Sequence, residues 1–141
     1  MPKKTAPKKS ADPEYRLLVV PQLAERTQRM TTLLVLETAK SFATFRYELS
    51  VQEHFQPPSF RFVVAGFKTP RLDLPSSGPA QYRTVFEGLD GVYEVTIEGI
   101  DGRINTFSLR VAPTQVSVLK APRKPFVQIV TDTDVWNSLS T

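Results

Sequence analysis

The sequence predicts an all-β protein with an antiparallel β-sandwich architecture. Eight or nine short segments alternate apolar and polar residues with a period of two, which is typical of half-buried strands. Turn signals rich in glycine and proline separate these segments about every ten residues, and almost no segment has the helical period. Short strands spaced in this way form two sheets that pack face to face.

Composition limits the class of protein. A length of 141 residues with 40% hydrophobic content is enough for one domain with a substantial core. Cysteine is absent, which excludes disulfides, thiolate chemistry and cysteine metal sites. No apolar run approaches the roughly 20 residues of a membrane helix, and no apolar segment follows the N-terminal lysines as in a secretory signal. We therefore expect a cytoplasmic protein that is not integral to a membrane; peripheral association with a membrane complex stays open.

The positive charge is concentrated in an N-terminal arm, residues 1–13, which has no large apolar side chain. Removing its four lysines from the 18 basic residues leaves 14, which balances the 14 acidic residues. Such an arm cannot bury a core alone. It is either an electrostatic contact with nucleic acid, acidic lipid or protein, or a solubilising tail. The four lysines are Lys3, Lys4, Lys8 and Lys9.

The first half of the domain predicts three strands. Tyr15 to Val20 is a short apolar strand that Pro21 should end. Gln22 to Met30 is ambiguous between one helical turn and an edge segment. Thr31 to Thr38 has a continuous apolar centre, which is typical of a strand covered on both faces. Ser41 to Val51 alternates strictly and predicts a further strand.

A proline break at residues 56–58 precedes the next strand, Ser59 to Ala65. Lys68 to Ala80 carries three prolines and a glycine, so we expect an irregular connection. About 13 residues is long for a loop in a compact domain, and such loops are often functional. Tyr82 to Phe86 then predicts a short strand.

A β-hairpin is predicted around a three-residue loop, Ile100-Asp101-Gly102. This loop length pairs Val95 with Phe107, so the apolar side chains of both strands share one face, whereas a two-residue turn would mix the faces. Gly102 closes the loop as the residue that adopts positive φ at the lowest cost.

The predicted domain organisation is the arm (1–13), the sandwich (14–119), a basic proline linker (120–125) and a C-terminal segment (126–141). The last segment has too many large apolar residues for a disordered tail. It can return to its own sheet or add a strand to a neighbouring chain. We favour the neighbour, because the sandwich has eight strands without this segment.

The stretch Leu89-Asp90-Gly91-Val92-Tyr93 resembles the tyrosine corner of immunoglobulin-like folds. The resemblance covers about ten residues together with the strand count, and Val95 stands where that superfamily has its second conserved cysteine. It implies an immunoglobulin-like sandwich in which the Tyr93 hydroxyl bonds a backbone group near residues 87–89. Immunoglobulin-like folds host many functions, so the resemblance leaves the function open.

No catalytic or cofactor-binding constellation is present in the sequence. His54 is the sole histidine. Glu94 and Glu98 share a strand face, but four strand residues span roughly 13 Å, too far for a glycosidase pair. The glycines are not spaced as in a phosphate-binding loop. We therefore expect no enzyme activity, no metal and no cofactor.

We interpret the chain as a non-catalytic binding or structural module, an accessory or scaffold subunit of a larger protein assembly that uses its termini as docking arms. The alternative is a nucleic-acid-binding protein with a sandwich core and basic tails. The residues expected to contact a protein partner or a polyanion are Lys3, Lys4, Lys8, Lys9, Lys120, Arg123, Lys124, Phe126 and Trp136.

Overall fold

The computed structural model describes residues 13–42, 48–68 and 78–139. This part of the chain is almost entirely β, which confirms the predicted all-β class. A single short helix follows the last strand. The elements are β1 (Tyr15–Ala24), β2 (Arg29–Phe42), β3 (Glu48–Gln56), β4 (Ser59–Lys68), β5 (Gly78–Glu87), β6 (Gly91–Glu98), β7 (Ile104–Ala112), β8 (Gln115–Lys120), β9 (Val127–Val130) and α1 (Thr133–Leu139).

The described strands form one curled sheet in the order β8-β7-β6-β4-β3-β5-β2-β1-β9. Five neighbouring pairs are antiparallel, but β1–β9, β3–β5 and β4–β6 are parallel. The predicted purely antiparallel arrangement is therefore wrong, and the sheet is mixed. The error has a physical cause, because parallel and antiparallel strands alternate their side chains with the same period of two.

The curl gives the sheet an inner face that encloses the main core. Val116 of β8 and Val127 of β9 belong to the same buried cluster, although these strands are at opposite ends of the sheet. The largest fully buried side chains include Phe62 and Phe107. Every strand from β1 to β9 contributes a residue to this cluster.

The hairpin of β1 and β2 is covered on its outer face as well, as the apolar run from Thr31 to Thr38 predicts. All eight of these residues are buried. Trp136 and Leu139 of α1 pack on the outer side, against a second cluster. Asp132 caps α1 by accepting the N–H of Asp134 at 2.7 Å. The second cluster consists of Leu18, Val20, Leu33, Val35 and Val130.

The prediction that Pro21 ends the first strand is wrong, because β1 continues through this proline to Ala24. A turn over residues 25–28, in which the Gln28 N–H donates to the Ala24 carbonyl at 2.7 Å, leads directly into β2. Of the two interpretations of Gln22 to Met30, the edge segment agrees with the pairing of β1 and β2. β9 pairs with β1 over Tyr15–Leu18 and no further. Pro21 therefore lies where β1 has a strand neighbour on one side only, and its missing N–H costs no ladder bond on the other side.

Two other predicted elements include residues that the structure does not describe. The strand predicted over residues 41–51 contains the end of β2 and the start of β3, while residues 43–47 lie outside the described residues. Of the irregular connection predicted over residues 68–80, residues 69–77 also lie outside them. The strand predicted from Ser59 exists and extends to Lys68.

The β6–β7 hairpin has the predicted register, with Val95 opposite Phe107. The Gly99 N–H donates to the Arg103 carbonyl at 2.9 Å and closes the three-residue loop. Gly102 has the expected left-handed backbone, with φ of 89°. Hydrogen bonds from the backbone and side chain of Arg103 lower the pKa of Asp101 in this loop, because they stabilise the charged form of the carboxyl group.

The C-terminal segment returns to the sheet of its own chain, which is the alternative that the sequence left open but did not favour. β9 pairs in parallel with β1. Phe126 is 6% exposed, and the centroid of its ring lies 6.1 Å from that of the Tyr15 ring. The buried Asn105 side chain accepts the backbone N–H groups of Phe126 and Val127 at 2.8 and 3.2 Å. This amide fixes the entry of β9, and nothing in the local pattern of residues 126–131 encodes it.

The Tyr93 hydroxyl does bond a backbone group, but one residue later than expected. The Asp90 N–H donates to the Tyr93 hydroxyl oxygen at 3.0 Å, whereas the resemblance implies a partner within residues 87–89. The ring of Tyr93 also packs against Phe60, with centroids 5.6 Å apart. The hydroxyl thus secures the tight connection from β5 to β6 while the ring contacts the core.

Replacing Tyr93 by Phe tests this bond without removing the ring. We expect Tyr93→Phe to lose about 0.5–1.5 kcal/mol of unfolding free energy, the net contribution of one hydrogen bond. Urea denaturation followed by circular dichroism measures the difference. An unchanged midpoint and slope would show that the bond contributes nothing to the stability of this corner.

Candidate functional site

Strand β5 is paired along its length on one side only. On one edge, residues 81–87 pair in unbroken register with β2. On the other edge, β3 contributes one register pair, Glu48 with Gln81. The remainder of this second edge, residues 82–87, is called the open edge of β5 below.

The direction of the backbone groups can be fixed from one hydrogen bond. The Ala80 N–H donates to Thr38 Oγ1 at 3.0 Å, on the β2 side of the strand. Successive residues of a strand direct their N–H and C=O groups to alternate edges. Arg83, Val85 and Glu87 therefore direct theirs to the open edge, where no register pair lies within the described chain.

The side chains of these same three residues lie on the outer face. Val85 is opposite the buried Leu33 of β2, yet it is 49% exposed. Arg83 and Glu87 are both exposed, and neither makes an ion pair with any described residue. Val85 is thus an exposed apolar side chain on an unpaired strand edge. It lies between Arg83 and Glu87, which carry opposite charges that are not paired. We call Arg83, Val85 and Glu87 with the open edge the β5 surface.

Beyond the pair of Glu48 with Gln81, side chains on the inner face hold β3 against β5. The Tyr82 hydroxyl donates to the carboxylate of Glu53. Burial raises the pKa of Tyr82, and the hydrogen bond to Glu53 raises it further, so the hydroxyl keeps its proton. The Phe55 and Phe86 rings are in contact, with centroids 5.2 Å apart. These contacts fix the position of β5 while its edge stays free of a ladder.

A cavity of about 360 Å³ lies next to the β5 surface, between α1 and the outer face of the sheet. Its floor is the apolar cluster under α1, and Trp136 forms one wall. Gln81 and Arg83 of β5 also line it. Arg83 is the single charged residue among the described residues that line the cavity. The accessible surface of the lining is more polar than apolar and includes this one cation.

A buried polar cluster supports the beginning of the open edge. Glu37 of β2 is 3% exposed and accepts hydrogen bonds from Arg16 Nε at 3.1 Å and from Gln81 Nε2 at 2.7 Å. A carboxylate at this depth needs such partners. Because Gln81 is also the β5 residue that pairs with Glu48, the cluster holds β5 where the sheet splits.

The structure separates the residues predicted to contact a partner. Lys3, Lys4, Lys8 and Lys9 lie outside the described residues. Phe126 is in the core and Trp136 covers the outer-face cluster, so both serve the fold of their own chain. The remaining three are exposed, at the end of β8 and in the loop after it, and make no ion pair with described residues; they are Lys120, Arg123 and Lys124.

Sequence reasoning did not identify the β5 surface. It predicted a strand over Tyr82 to Phe86 but assigned it no role. The one available signal was Val85, an apolar residue on the otherwise polar face that carries Arg83 and Glu87. Whether a strand lies at an edge depends on the topology of the whole sheet, and no local pattern states it.

Within the described residues, no three side chains of the metal-ligating types come together. The exposed His54 lies on β3. None of the described helical residues belongs to a helix with the length and apolar character needed to cross a membrane. Comparisons of the chain with protein-family models, with curated proteins and with solved structures found no match.

Two arginine variants test the support beneath the β5 surface. We expect Arg16→Leu to lower the unfolding free energy by about 3 kcal/mol, because the buried Glu37 loses the cation that it is paired with. Arg61→Leu is the matched control, since Arg61 pairs with Glu98 on the exposed outer face. Arg61→Leu should lower the unfolding free energy by less than about 1 kcal/mol. Equal losses in chemical denaturation would contradict a supporting role for the buried cluster.

Proposed function

We propose that this chain is a non-catalytic protein-binding module, an accessory or scaffold subunit of a larger assembly, which docks through the β5 surface. One observation carries the proposal: the open edge of β5 lies beside an exposed valine flanked by two unpaired opposite charges. Unpaired strand edges bind extended segments of other proteins, and monomeric proteins usually protect such edges.

The chemistry of this surface favours an extended strand as the occupant. The backbone groups of three alternate residues supply hydrogen bonds that any extended segment can complete. The side chains supply selectivity, because Val85 offers apolar contact while Arg83 and Glu87 attract opposite charges.

This proposal changes the role first expected of the termini. The C-terminal segment packs on its own sheet, which removes Phe126 and Trp136 as free docking groups. The N-terminal lysines stay as a candidate electrostatic arm. We also propose that the curled sheet has an immunoglobulin-like arrangement. The hydrogen bond of the Tyr93 hydroxyl supports this proposal.

Paired lysine substitutions test the proposal. Tagged wild-type chain and two variants, Val85→Lys and Val92→Lys, are used to capture proteins from the native source after mild cross-linking. Val92 is 48% exposed and so matches Val85 at 49% in exposure, but it lies on β6. We expect a stoichiometric protein with the wild type and with Val92→Lys, and at least a tenfold lower recovery with Val85→Lys, because edge lysines oppose strand addition. Equal recovery with both variants would refute docking at the β5 surface.

A further inference from the structure

We infer that the partner which fits the β5 surface is a second copy of this chain, joined by antiparallel pairing of two β5 strands about a two-fold axis at Val85. The inference rests on the proposed function, because it uses the same surface and names its occupant. A two-fold interface requires a surface that is complementary to itself. The β5 surface meets this requirement in its charges, its backbone directions and its apolar contacts.

The charges of β5 are complementary in one register. When Val85 lies opposite the partner's Val85, Arg83 lies opposite the partner's Glu87, and Glu87 lies opposite the partner's Arg83. Both side chains are exposed and make no ion pair within the described chain, so both are available. Opposite charges directly across an antiparallel pair stabilise it, and like charges destabilise it.

Neighbouring two-fold registers lose this match. Centring the pair on Thr84 places Arg83 opposite the partner's Val85, and Glu87 opposite the partner's Gln81. Centring it on Phe86 places Val85 opposite the partner's Glu87. The charge pattern therefore selects the register centred on Val85, in which two ion pairs flank one apolar contact.

The backbone directions agree with this register. Arg83, Val85 and Glu87 all direct their N–H and C=O groups to the open edge, as the hydrogen bond from Ala80 to Thr38 fixes. In the register centred on Val85, each of these three residues lies opposite one of the same three residues in the second copy. Opposed residues of an antiparallel pair that point toward each other exchange both hydrogen bonds. Three such pairs form the centre of the interface.

The apolar groups at this edge gain cover on both faces. On the outer face, two valines that are each 49% exposed meet at the axis. On the inner face, Phe86 lies opposite the partner's Thr84, beside the Phe55 ring, which is 37% exposed. The edges that a monomer would leave unpaired are then joined into one sheet that continues through the dimer.

Charge exchange tests this register directly. Sedimentation velocity and light scattering over a concentration series give the dimer dissociation constant. We expect the wild type to dimerise, and Arg83→Glu and Glu87→Arg each to raise the dissociation constant at least tenfold, because each variant places like charges opposite each other. The double variant Arg83→Glu/Glu87→Arg should restore the dissociation constant to within about threefold of the wild-type value. Circular dichroism and thermal melting confirm that each variant is folded.

An equimolar mixture of the two single variants adds a decisive measurement. The Arg83→Glu chain then carries two acidic residues on this edge and the Glu87→Arg chain carries two basic residues. We expect a heterodimer that is tighter than either homodimer by at least tenfold. As a backbone control, Val85→Pro should abolish dimerisation while leaving the β2 ladder intact, because its missing N–H points to the open edge.

Three results would overturn the inference: a wild type that stays monomeric up to roughly 1 mM, a dimer unaffected by the single variants, or a mixture that does not associate. Its failure can be separated from failure of the proposed function. A monomeric wild type whose capture of a different protein is lost in Val85→Lys keeps the binding role and excludes the second copy. Capture unaffected by Val85→Lys excludes the binding role at this surface.

Discussion

The double-sided burial of the β1–β2 hairpin is the constraint on which the rest of the structure depends. Its inner face supplies Leu17 and Leu36 to the main core, and its outer face supplies Leu18 and Val35 to the cluster under α1. A strand pair without a polar face must be covered on both sides. The curl of the sheet covers one side and the C-terminal helix covers the other.

This central hairpin also determines where the open edge lies. β9 and β5 are paired with the two outer edges of the hairpin, so the chain continues the sheet from it in both directions. Beyond β5, the ladder stops after the pair of Glu48 with Gln81, and aromatic side chains replace it. The buried group of Arg16, Glu37 and Gln81 holds β5 to β2 at this split. An edge fixed in this way is held in place but unpaired, which suits it to strand addition.

The sequence predicted the features that short-range physics determines. The register around Gly102 followed from alternation and turn chemistry, and the burial of residues 31–38 followed from an uninterrupted apolar run. Features set by distant contacts were missed. The continuation of β1 through Pro21 depends on where β9 ends, and the docking of Phe126 depends on the Asn105 side chain. The role of Val85 depends on which strand lies beside β5.

The central claim is that β5 has one paired and one open edge, and residue-resolved amide hydrogen exchange tests it most directly. The Arg83→Glu variant is suited to the measurement, because it opposes self-association at this edge. The account predicts alternation along β5: slow exchange at Tyr82, Thr84 and Phe86, whose N–H groups point to β2, and fast exchange at residues 83, 85 and 87. Uniform slow exchange at all six amides would show that the edge is already paired and would contradict the account.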